Sequence, residues 1–273
     1  MSKTSTIYLQ YIKNYYRSRS FFLMLFLILL IGSMMSYFSF KYVNDLPSFL
    51  GGTVFPASMK VNVFYYLWTL VLLYIPVFAS VFFGSPAISS EIENKTAYFI
   101  FPLPINRYKL FFGKYFAAFT VTMFIVGIYL IFEVFTLSYL LGAIPATYFS
   151  YSFIMLVLFI LSIMSVTFLI SAIFNKNTYA YITVFVIYYI FFEAGSFIIE
   201  LLYKYTPVYF LNDAASIIER VYININPGNA FVSHIDINPA SFSEIMLSAL
   251  IMVIYAVIAL VIGMLLFDKK EVS

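Results

Sequence analysis

Six uninterrupted apolar runs organise this chain, at about 21–40, 61–83, 115–142, 151–174, 179–203 and 242–267. Each reaches the length of about 20 residues that a helix needs to cross a bilayer. Pro76 lies inside the second run and predicts a kink there, unless neighbouring groups take up the carbonyl it frees. Ahead of the first run, Ile7, Tyr8, Tyr11, Ile12, Tyr15 and Tyr16 recur at spacings of three and four, with Gln10, Lys13, Asn14 and Arg17 between them. That pattern predicts a basic amphipathic helix suited to the headgroup layer. The first run is longer than the apolar core of a signal peptide, and no small-residue cleavage site follows near Met34 to Lys41. The reading is all-α and polytopic. An interfacial helix occupies 1–20, a six-span domain 21–267 and a short tail 268–273, with long connections at 84–114 and 204–241.

Charge orients the bundle. With six spans, 1–20, 84–114, 175–178 and 268–273 share one side, and they hold eleven of the fifteen Lys and Arg. Four fall in 41–60, 143–150 and 204–241. Basic residues stay in the cytoplasm, so both termini are expected there, in a multi-pass protein of the cell membrane. The acceptor pattern Asn94-Lys95-Thr96 then falls on the wrong side for glycosylation. The chain's 273 residues are 63% hydrophobic and 10% charged, which excludes a soluble enzyme and a disordered protein. A net charge of +3 gives no reason to expect nucleic acid. With no cysteine and one histidine, neither a thiolate nor a multi-histidine metal site can form. No catalytic, cofactor-binding or metal-binding residues are expected.

The segment 84–114 carries most of the remaining information. Ser90 and Glu93 have the spacing of a capping box, which predicts a helix starting there with Glu91 and Glu93 in its first turn. Pro102 and Pro104 would stop it within three turns, leaving Tyr98, Phe99 and Phe101 beside charges of both signs. A second helix would begin near Ile105. Such a segment is either a docking surface or an ordinary connecting loop. The residues Glu91-Ile-Glu93-Asn-Lys-Thr96, then Pro104-Ile-Asn-Arg107, Leu110 and Gly113-Lys114, are similar to the signature loop of type 2 ABC exporter permeases. Lys95 stands where that family usually has Gly, and Asn106 where it has Ser or Thr. The resemblance implies a coupling helix seated on a separate ABC ATPase subunit, with Ser90, Glu91, Glu93, Thr96 and Arg107 at the coupling element. It also implies that Lys114 anchors the third span at the headgroups, that 1–20 is an elbow helix, and that a second permease subunit, identical or not, completes the unit. The nucleotide-cradling pattern G-x-x-x-x-G-K-[ST] is missing, because Gly113-Lys114 runs into Tyr115. ATP hydrolysis is therefore expected in the partner, not here.

Three acids interrupt the spans: Glu133 in the third, Glu193 and Glu200 in the fifth. Glu193 falls about 21 Å beyond Tyr179 along a helix, in the outer half. Glu193 and Glu200 are seven apart and share a face. A carboxylate in lipid is costly, so each should face protein, water or a partner. They read either as a pathway lining or gate, or as carboxylates held by tyrosine hydroxyls near the outer interface. In the outer connection, Phe210, Leu211, Ala214, Ile217, Ile218 and Val221 form the apolar face of a helix over 208–221, with Asp213, Glu219 and Arg220 opposite. The family resemblance would make it an outer helix that lids the cavity; the alternative is a surface segment resting on lipid. His234 reads as a solvated loop residue. The function expected is the permease of an ATP-driven exporter. The alternative is a proton-coupled secondary transporter using Glu133 and Glu193, although no inverted repeat is visible.

Overall fold

The computed structural model describes residues 3–44, 60–97, 106–142, 144–203, 207–223 and 239–270. The elements are α1 (Lys3–Tyr16), α2 (Arg19–Tyr42), α3 (Lys60–Gly84), α4 (Pro86–Glu93), α5 (Arg107–Leu141) and α6 (Ala146–Ile173). They continue with α7 (Asn177–Phe185), a π-helical stretch (Val186–Ala194), α8 (Gly195–Tyr203), α9 (Leu211–Ala215), α10 (Ile217–Arg220) and α11 (Phe242–Lys269). Among the described residues, six rods are long and apolar enough to cross a membrane: 19–42, 60–93, 107–141, 146–173, 177–203 and 242–269. The Pro102–Pro104 stop, the aromatic trio 98–101, His234 and the tail beyond Lys270 lie outside the described residues.

The apolar runs give the rods, but not their ends. The third rod starts at Arg107, eight residues before the apolar run, because the Asn106 side chain accepts from the Tyr108 N–H at 2.9 Å and caps it. It ends at Gly142, whose φ of 66° is the left-handed closure that glycine adopts most easily. The second rod stays helical through Pro76 and passes Ser85, whose φ and ψ of −58° and −43° are helical, into α4. Pro86 fits there because its missing N–H belongs to the first turn of the new segment.

The helix expected to start at Ser90 is therefore displaced. It runs Pro86–Glu93, and the Ser90 hydroxyl donates back to the Pro86 carbonyl instead of capping a helix start. Glu91 and Glu93 sit in its last turn, not its first. The amphipathic helix expected over 208–221 also differs. Ser216 breaks it into α9 and α10, which sink between α3, α6, α11 and the π-helical stretch. Asp213 and Arg220, expected on a polar outer face, are buried.

α3 and α6 form the centre of the bundle. Trp68, Tyr65, Phe83, Phe159 and Phe168 are enclosed there. Trp68 donates its Nε1–H to Ser39 at 2.9 Å, and Tyr129 donates to the Trp68 carbonyl at 3.0 Å, so these two buried donors are paired, whereas the Tyr65 hydroxyl has no partner among the described residues. α6 packs along α11, where Gly263 lets the backbones approach; a Cβ there would stand 3.1 Å from Leu169 Cα. α2 and α11 present Phe22, Phe26, Leu250 and Val257 outward, the apolar surface a lipid-facing shell requires.

Candidate functional site

Two polar constellations stand out, one at each end of the bundle. The first surrounds α4. The Ser171 hydroxyl on α6 accepts from the Ile88 and Ser89 N–H groups, both at 3.1 Å, and donates to the Ser85 carbonyl at 2.6 Å. One side chain thus caps the start of α4 and ties it to α6. Ser89 donates to the Ser85 carbonyl at 2.7 Å and to Asn177 Oδ1 at 3.3 Å. On the other flank, Lys114 Nζ bonds the Ala87 carbonyl at 2.8 Å and pairs with Glu91. Tyr11 of α1 donates to the second oxygen of Glu91. Tyr15 donates to the Phe83 carbonyl at 2.8 Å. Burial first, and then the Glu91 charge, push the Tyr11 and Tyr15 hydroxyls up, so both remain donors across the physiological range.

These positions correct two expectations. The Lys114 side chain is 0% exposed and pairs inward; it does not reach the headgroups. The Glu91 side chain is 12% exposed and occupied by Lys114 and Tyr11, so it is no free docking charge. The paired cation also falls within the helix Arg107–Leu141, where the apolar runs placed no basic residue. Glu93 is exposed, and its Oε2 accepts from the Asn177 N–H at 2.9 Å, capping α7. Thr96 donates to the Glu91 carbonyl at 3.2 Å and closes the end of α4. Arg107 Nη1 bonds the carbonyls of Asp268 and Lys270 and so holds the end of α11. The solvent-facing tip that remains is Glu93, Asn94, Lys95 and Thr96. Lys95 has φ 59°, a left-handed turn in which glycine is unstrained. Asn106 serves as an N-cap, as Ser or Thr would.

The second constellation is a cavity of about 240 Å³ at the opposite end, between α3, the π-helical stretch, α8 and the α9–α10 pair. Glu193, Glu200, Asp213 and Glu219 line it. Tyr74 donates to Glu193 Oε1 at 2.9 Å, and Ser196 to Asp213 Oδ2 at 2.5 Å. Glu200 is 9% exposed and stands on the cavity wall, three residues before the end of α8. The π-helical stretch, an uncommon geometry that recurs at functional sites, carries Glu193. Glu133 does not line this cavity. It is 0% exposed, and neither carboxylate oxygen has a hydrogen-bond partner among the described residues. The Tyr65 and Tyr222 rings stack at 5.4 Å within electrostatic range of it.

Sequence reading missed Ser171, Asp213 and Glu219. A lone serine in an otherwise apolar stretch was the available signal for the first. The acids of 208–221 carried none, because their burial comes from the break at Ser216. Comparison with curated proteins finds none that matches the chain. The profile described as "ABC-2 family transporter protein" matches residues 6–272, nearly the whole length. With its six apolar rods, this chain belongs to the ABC-2 family of transporter proteins, as a multi-pass membrane component of an ABC transporter.

Proposed function

We propose that this chain is the permease subunit of an ATP-driven exporter, and that α4 is the element through which a separate ATPase subunit moves it. The observation that carries this is the bracing of α4. Its start is tied to α6 by Ser171, its flank to α5 by Lys114, its acid to α1 by Tyr11, and its end to α7 by Glu93. Among the described residues of this segment, 84–97, the exposed ones are the tip 93–96. A push on that tip reaches four other helices at once. A conformational change needs contacts that differ between two states, and an ATPase closing on this tip would supply them. The basic bias puts this end in the cytoplasm, where α1 acts as the elbow helix. The chain lacks a phosphate-cradling glycine loop, so hydrolysis belongs to the partner. A second permease subunit would complete the pathway, and the cargo would cross between the two.

A proton-coupled carrier using Glu133 and Glu193 is less well supported. Glu133 does not line the cavity that holds Glu193, and membership of an ATP-driven family leaves proton coupling without a task.

The test targets the tip and spares the braces. Asn94→Trp with Lys95→Glu changes exposed side chains only. A clash plus a misplaced charge at an interface costs several kcal/mol, and about 3 kcal/mol weakens association by more than about a hundredfold. The variant should keep wild-type thermal stability, lose co-purification with the ATPase, and lose transport. Wild-type yield of the complex would show that the ATPase docks elsewhere.

A further inference from the structure

We propose that the cavity lined by Glu193, Glu200, Asp213 and Glu219 binds a primary ammonium group borne on an apolar body. Its role as a cargo site rests on the exporter reading above; its chemistry rests on the cavity alone.

The described lining is acidic and carries no Lys, Arg or His. Arg220 lies beside it, with Nη2 on Glu244 Oε1 at 2.8 Å. Acceptor atoms in this lining that are shut off from solvent and receive no hydrogen bond among the described residues include Glu193 Oε2, Glu219 Oε2 and Asn212 Oδ1. The Asn212 amide is oriented by its Nδ2–H on Asp213 Oδ1 at 3.3 Å, so its oxygen is left facing elsewhere. Buried acceptors without donors are costly, and this cavity has acceptors to spare and negative charge to match. A primary ammonium supplies both missing things, three N–H donors and one positive charge. A quaternary ammonium supplies only the charge, and an alcohol only one donor. A bare metal ion fits poorly, because among the described residues no three acidic side chains converge to hold one. The space of about 240 Å³ suits a molecular group. Tyr74 and Tyr188 also line the cavity, and Tyr74 holds Glu193 in place. Tyr74 and Phe197 are 41% and 54% exposed, so the apolar body of the ligand would lie against the spans.

Protonation fits the same geometry. Burial pushes Asp213 up to about 7, with Glu200 and Glu193 adding to the rise while the Ser196 bond and Arg220 oppose it. Burial pushes Glu219 up to about 8, against Arg220. The groups facing them are Tyr66 and Tyr74 on α3, Tyr188 and Glu193 on the π-helical stretch, Glu200 on α8, and Arg220 on α10 with its partner Glu244 on α11. Near neutral pH the two acids hold protons part of the time. An arriving ammonium would expel them, so binding should tighten as the pH rises through this range.

The ammonium could come from a soluble lipophilic amine or from an ethanolamine lipid headgroup. The test uses the full chain without any ATPase, in phosphatidylcholine nanodiscs, so a failure of α4 docking and a failure here are seen separately. Radiolabelled phenethylammonium is the probe. Saturable binding is expected, tightening from about pH 6 to pH 8.5. 2-Phenylethanol and the trimethylated probe should compete at least about tenfold more weakly. Glu193→Gln and Glu219→Gln should each weaken binding at least about tenfold, with helix content unchanged. Phosphatidylethanolamine in the nanodisc should displace the probe if the natural source is lipid, and leave it bound if the source is a soluble amine; either result retains the site. Equal competition by the neutral alcohol, or no saturable binding, overturns the proposal even if a variant fails to assemble. Unchanged binding in both folded glutamine variants overturns it as well.

Discussion

Asp213 and Glu219 hold carboxyls that burial keeps toward the protonated form, at about 7 and about 8 against ordinary values of 3.8 and 4.5. The folded chain therefore binds more protons than the unfolded chain between about pH 4 and pH 8. The stability tied to these groups is full below about pH 4 and lost as the pH rises through their folded values. Thermal unfolding in detergent should show a midpoint that falls between about pH 4 and pH 8, and Asp213→Asn with Glu219→Gln should flatten that fall. A midpoint that rises across this range would show that other groups govern the response. At this scale the sequence was uneven to read. Glu133, Glu193 and Glu200 announced themselves as charges in apolar runs. Glu91 and Lys114 did not announce their pairing, because nothing in a separation of 23 residues brings two side chains together; the helices α4 and α5 do that. Lys95 carries the clearest local lesson: its left-handed φ of 59° accounts for the glycine that the resembling loops place there.

Among the elements, α4 shows how a short helix can be held. α4 continues the rod of α3, but Pro86 supplies no N–H at its start, so its first turn leans on the groups around it. Ser171 satisfies two of its first N–H groups from outside the helix. Ser171→Ala would leave both unpaired in a buried place, at about 1–3 kcal/mol per unsatisfied group. The permease should still assemble, with a lower unfolding midpoint. ATP turnover with the partner should persist while transport per ATP drops, since the tip would yield without moving α6. Full transport per ATP in a destabilised variant would reduce Ser171 to a packing residue. The six spans were legible because length and apolarity determine them. The start of α4 was not, since Gly84-Ser-Pro86 reads as a break and the rod passes through it. Nor was the burial of α9 and α10, whose apolar face predicted a surface helix but whose short halves fit between the rods.

For the whole molecule, the first question is sidedness. The basic residues predict that the α4 end faces the cytoplasm. The chain has no cysteine, so single cysteines report cleanly. Thr96 and Thr147 are both exposed, Thr96 at the tip of α4 and Thr147 at the start of α6. In intact cells, Thr147→Cys should react with an impermeant maleimide and Thr96→Cys only after lysis. Labelling of Thr96→Cys from outside would invert the molecule and separate α4 from any cytoplasmic ATPase.

The passage of one rod from Lys60 to Glu93 has a further consequence, for how such a chain can change its length. Each residue turns an α-helix by about 100°, so a single insertion between Leu72 and Phe83 would swing Glu91 off Lys114 and point the tip in a new direction. Two whole turns, about seven residues, nearly restore the phase but lengthen the rod by about 10 Å. Substitutions along this rod leave the angle of the tip intact, whereas small insertions reset it. Length here acts as a clock setting that the rest of the molecule reads.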